Sequence, residues 1–337
     1  MHTDDHGSPS TSRWLLAAAA AAILLSGEAV AQVKEPELTR PDASVRELLA
    51  ANAAEIQSVV ERALDTQQPT KSRVDAVRQL SGAYFDYLLA NSQALVRDPD
   101  PEVAHTTVLS LAGQIAMLPD VQVMEHHNHT EYDNYQSNLV KTSLDSLRQA
   151  LEHDNAAVVD EAAAFLSSRG DLQGMARVQR LIEEGKISAG KGIGFLSLGP
   201  LEKASPLIEK YTSDPDTSVQ AAAISQLSYN SRYTSVVRDV ALSANTSSQV
   251  TIAALPGLAK TDRDFLNYGV ALAQNEKVDK AVRSQALEAA IGFTIRNNTP
   301  ESTVRSLEPL LGDAAAELSS PEALQAVEQL RSVYQIQ

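Results

Sequence analysis

One recurring pattern constrains the fold of this chain more than any other feature. In DPDPEVAHTTVLSL from Asp98, DNAAVVDEAAAFLS from Asp154 and DPDTSVQAAAISQL from Asp214, an acid is followed five residues later by valine: Val103, Val159 and Val219. Four residues beyond the valine comes a small or β-branched residue (Thr107, Ala163, Ala223), and the next is Val108, Ala164 or Ile224. This i, i+4, i+5, i+8 stripe is one buried face of a helix; a strand would alternate with period two. The frame continues through Val250 (Ala254, Leu255, Leu258) and Val282 (Ala286, Leu287, Ala290). Ser72 takes the valine slot upstream, ahead of Ala76, Val77 and Leu80, and Ser188 fits more poorly ahead of Gly192, Ile193 and Leu196. From Val159 the slots step by 29, 31, 31 and 32 residues.

Each striped helix has room for another before it, predicted over Leu139–Glu152, Leu201–Thr212 and Phe265–Asn275. Asp100 and Asp216 stand where they can accept hydrogen bonds from the free amides of the next helix, and Pro101 suits a first helical turn. The predicted unit is a helix pair of ~30 residues that buries its apolar face only against its neighbours. The Asp-x4-Val-(Arg)-x2-Ala-(apolar) signature resembles the HEAT family over roughly residues 40–337. The arginine after the valine is present as Arg73 and Arg283. The resemblance implies an all-α solenoid of about eight pairs, and armadillo-like pairing would give the same architecture. It also implies a concave face lined by the second helices, which would bind a protein or peptide partner. The residues one or two places after the valine slot, Arg73, His105, Asp160, Gln220, Thr251 and Arg283, would then be presented to the ligand. Their charges are mixed, so no ligand class follows from them.

The N-terminus reads as a targeting segment over 1–31, followed by a linker at 32–39. WLLAAAAAAILL (Trp14–Leu25) is apolar but too short to span a bilayer, for which ~20 residues are needed. Ala29 and Ala31 supply the small side chains of a peptidase site, predicting a mature chain from Gln32 with no membrane span. Arg13 is offset by Asp4 and Asp5, so the leading segment is weakly charged. The expected destination is periplasmic or extracellular. There is no cysteine, which excludes a lipidated cysteine, disulfides and thiolate metal sites. A net charge of −15 with no basic run disfavours nucleic acid as a partner.

Between Val103 and Val159 the step is 56 residues, more than one helix pair fills, and the excess falls in an inserted loop at 118–134. There EHHNHTEYDNY holds His126, His127, His129, Glu131 and Asp133. In an extended run Glu125, His127, His129, Glu131 and Asp133 point one way. Two imidazoles with carboxylates suit a divalent transition metal such as Zn²⁺; a solvated polar loop has the same composition, and on that reading no cofactor is expected. GKISAGKG (Gly185–Gly192) matches the first positions of a phosphate-binding loop, but Gly192 stands where Ser or Thr must hold Mg²⁺. A helical segment precedes it where a strand is required, so it reads as a glycine-rich helix pair. Tyr229, Arg232 and Tyr233 read as a turn. His105 and His153 read as surface or capping histidines. No nucleophile or metalloprotease motif occurs, and no enzymatic activity is expected.

Overall fold

A computed structural model describes residues 33–34, 36, 41–82, 84–119, 130–318 and 321–336. The targeting segment expected at 1–31 lies outside them, as does most of the linker. Among the described residues every regular element is helical, and no helix is long and apolar enough to cross a membrane.

The chain forms two compact units, divided after Ser146. The first holds α1 (Ala43–Ala51), α2 (Ala53–Leu64), α3 (Thr70–Ser81), α4 (Phe85–Leu95) and α5 (Pro101–Ile115). The division falls within α6 (Glu131–Ala150). The second unit continues with α7 (Ala156–Ser168), α8 (Leu172–Glu183), α9 (Ala189–Leu196), α10 (Leu201–Ile208), α11 (Thr217–Leu227) and α12 (Thr234–Ala241). It ends with α13 (Ser248–Thr261), α14 (Phe265–Gln274), α15 (Lys280–Arg296), α16 (Glu301–Leu318) and α17 (Pro321–Tyr334).

The striped helices are α3, α5, α7, α9, α11, α13 and α15. Their valine-slot residues Val103, Val159, Val219, Val250 and Val282 are all buried, as are Leu111, Ile224, Leu255 and Leu287 behind them. In the first unit α3 packs on α5 and α2 on α4; in the second, α7, α9, α11, α13, α15 and α17 each pack on the next. Among the described residues, the extensive helix–helix contacts join helices one or two places apart in the chain. In α9 the helix starts late, so Ser188 is its N-cap instead of a core residue, which accounts for the poor fit of that repeat.

Capping fixes where the elements begin. Asp100 accepts from the Glu102 amide at 3.0 Å and Asp216 from the Ser218 amide at 2.8 Å, as their positions predict. One boundary differs from expectation. The helix predicted over Leu139–Glu152 begins at Glu131, so residues 131–134 belong to α6 and not to the inserted loop. Thr130 and Asp133 form a reciprocal capping box: the Thr130 amide and hydroxyl donate to Asp133 Oδ2 at 3.1 and 2.7 Å, and the Asp133 amide donates to Thr130 Oγ1 at 3.1 Å.

Candidate binding cleft

Arg73, Thr251 and Arg283, three of the residues after the valine slot, do something other than face a ligand. Arg73 is 2% exposed. Its Nε and Nη2 donate to the Ala63 carbonyl at 3.2 and 3.1 Å, and Nη1 donates to Asp98 at 3.0 Å. Arg283, 6% exposed, repeats the arrangement: Nε donates to the Ala273 carbonyl at 3.1 Å, and the two Nη groups grip Glu317 at 2.8 and 2.7 Å. Thr251, 7% exposed, donates its hydroxyl to the Ala241 carbonyl at 3.0 Å. Gln220, half-buried, donates to the Thr212 carbonyl at 2.7 Å. Each acceptor lies at the end of the preceding helical segment, where the last carbonyls have no intrahelical donor. Presentation of Arg73, Thr251 and Arg283 to a ligand is therefore corrected: they are interior clasps joining the two helices of a pair. His105 and Asp160 are half-exposed.

Asp160 borders a cleft of about 370 Å³ within the second unit. The turn after α6 and the start of α7 form one wall (Glu152, His153, Asp154, Asp160), and the turn after α8 and the start of α9 form the other (Lys186, Ser188, Lys191). Buried Leu151, Val159 and Leu181 make an apolar floor. The walls are held by local caps. His153 Nδ1 accepts from the Asn155 amide at 2.9 Å, and Asn155 caps α7 through the Ala157 amide at 2.9 Å. Ser188 accepts from the Lys191 amide at 3.4 Å. GKISAGKG is thus a helix end, a turn and a helix start, with Gly185 at φ +69° closing α8.

The cations of the cleft have partners. Lys191 Nζ lies 2.6 Å from Asp160 Oδ2, and Lys186 lies 3.1 Å from Glu184. Beside them Arg177 bridges Glu152 and Glu184, bonding the latter at 2.7 Å. Arg177 first, and Lys186 second, hold the Glu184 carboxyl at about 2 against an ordinary 4.5. Asp160 Oδ1 is buried with no hydrogen-bond partner among the described residues, and the neighbouring Asp154 is exposed. A buried acceptor without a donor costs about 1–3 kcal/mol, but Oδ1 is shielded from the cleft; an occupant that brings an N–H or ammonium group meets Asp154 and the Lys191-bound Oδ2 instead.

The His-rich candidate is only partly placed. His126, His127 and His129 lie outside the described residues. Glu131 and Asp133 sit in the first turn of α6, where they do not share a face, and Asp133 serves the capping box. Among the described residues no group of three or more His, Asp or Glu side chains could hold a metal ion. Arg232 and Tyr233 form a 3-10 turn at Ser231–Tyr233. Tyr229 stands just before it, with the Lys260 ammonium 4.7 Å from its ring centre.

No family model matches the chain, and no curated protein matches it. Among solved structures, a crystal structure of an engineered protein is 15% identical, with 88% of this chain and 92% of that chain covered and a TM-score of 0.35. A second engineered protein is 13% identical, with 83% and 96% covered and a TM-score of 0.22. Likenesses at these scores carry no argument about how the helices are arranged.

Proposed function

We propose that this chain is an exported helical-repeat binding protein, a HEAT-like α-solenoid that recognises a protein or peptide partner. Serial packing of the striped helices supports the solenoid. Export is supported by the apolar run Trp14–Leu25 ahead of Ala29 and Ala31. The observation that carries the binding role is an open cleft walled by acids, Asp160, whose Oδ2 meets Lys191, and the exposed Asp154. The partner group that answers it is a basic side chain, drawn toward an acidic protein and seated over Leu151, Val159 and Leu181.

Titration with short peptides bearing one arginine, against the same peptides with glutamine there, tests this. Binding should favour the arginine set, weaken with salt, and fall at least about tenfold in Asp160→Ala. Equal binding of both sets by both proteins would remove the cleft as the contact.

A further inference from the structure

A second polar feature lies in the other unit and does not depend on the cleft. Asn91, on α4, is only 3% exposed, yet its carboxamide is fully engaged. Nδ2 donates to the Tyr87 carbonyl one turn back at 2.9 Å and also to the Lys34 carbonyl at 2.9 Å. Oδ1 accepts from the Lys34 amide at 2.9 Å. One side chain therefore pairs with both main-chain groups of a single residue 57 positions away, as an opposing residue in a β-ladder does. Only this orientation of the amide satisfies all three partners, since two of them are carbonyls and one is an N–H.

Nothing in the pairing depends on lysine. The Lys34 residue is exposed while its main chain is held, and Val33 and Pro36 beside it are half-buried. A buried amide would be left with an unmet acceptor and an unmet donor if that segment departed. The position is thus built to receive an extended main chain, whatever its side chains.

We propose that Asn91 is the centre of a backbone-reading site for an extended polypeptide in the first unit. The chain's own segment around Lys34 occupies it in cis and is exchanged for a second extended polypeptide. Tethering gives the cis segment an effective concentration on the order of millimolar, so it blocks a competitor of ordinary affinity until it is weakened or pulled away.

The test uses the full chain and a fluorescent peptide spanning residues 32–40, QVKEPELTR. Lys34→Pro removes the amide that Asn91 accepts from and leaves the site itself intact. The peptide should bind Lys34→Pro at least about tenfold more tightly than the unaltered chain. Binding should disappear in Lys34→Pro combined with Asn91→Ala, and for a probe with proline in place of its own lysine. Amide exchange at Lys34 should be slow in the unaltered chain and fast in Asn91→Ala. Should Asn91→Ala fail to fold, because Tyr87 loses a partner too, the proline-bearing probe decides alone. Equal affinity for the unaltered chain and Lys34→Pro, or undiminished binding of the proline-bearing probe, overturns the proposal. Either result leaves the cleft of the second unit untouched, since its substitutions lie at Asp160.

Discussion

Arg73 and Arg283 stand at the same register in widely separated repeats and perform the same task with the same atoms. In both, Nε takes the carbonyl ten residues upstream while the Nη groups take an acid from further along the chain. The difference between them is burial of the acid: Asp98 is interior, whereas Glu317 is half open to solvent. Removing a partner from a fully buried pair costs about 3–5 kcal/mol, and a hydrogen bond to a charged group at a wetter site about 1.5–3. Arg73→Ala should therefore lower the denaturant midpoint more than Arg283→Ala, and lysine should rescue neither, because its single ammonium does not reproduce the fork. Glu184 makes a pH-dependent counterpart. Its folded pKa is depressed from 4.5 to about 2. The stability it contributes is thus complete above pH 4.5 and lost as pH falls through about 2. Midpoints of the unaltered chain and Glu184→Gln should differ above that window and converge below it; a gap persisting in acid would mean that charge is not what Glu184 supplies. Sequence spacing placed these residues on the striped helices, and the ligand-facing role came only from the family resemblance. Spacing reports the side of a helix a residue leaves from, and says nothing of an unpaired carbonyl waiting across the pair.

At the scale of elements, the stripe was legible because burial of one face demands it, and two helix starts were legible where Asp100 and Asp216 cap them. The start of α6 was missed for a physical reason: Thr130 and Asp133 hold the helix start by side-chain bonds to its first amides, with no apolar period to announce it. The cleft was missed as a whole although its residues were noticed singly. His153 was read as a surface or capping residue, and Lys191 lay inside the GKISAGKG match that failed as a phosphate-binding loop. They meet because α7 and α9 pack together one repeat apart. Close packing of this kind also decides which glycines are replaceable. In α13, a Cβ on Gly257 would fall 1.8 Å from Ser228 Oγ and 2.6 Å from the Ser228 carbonyl carbon, at the end of α11. In α5, a Cβ on Gly113 would meet nothing within 4 Å. Gly257→Ala should destabilise by about 1–3 kcal/mol as α13 is forced off α11. Gly113→Ala should stabilise by about 0.5–1 kcal/mol through the helix backbone alone. Thermal melts of the two proteins should move in opposite directions; a shared direction would mean that glycine flexibility, and not packing, sets both outcomes.

For the molecule as a whole, what matters is how far a local insult travels. Among the described residues the extensive helix–helix contacts join helices one or two places apart; on the proposed solenoid reading, stability is closer to a sum of pair energies and neighbour contacts than to one indivisible core. Val282→Ala makes the measurement possible. The side chain is buried in α15, which packs on α13, α14, α16 and α17, and the truncation adds no polar group. The cavity should cost about 1–3 kcal/mol, felt first by those four helices. Amide exchange should therefore quicken in α13–α17, less in α11, and remain unchanged in α7 and α8 of the same unit, whose extensive contacts among the described residues include none of the altered helices. A chain that behaved as a single cooperative body would instead lose protection everywhere by the same amount, because every slow amide would exchange through the same global opening. That uniform result would contradict the solenoid reading even with every helix in place.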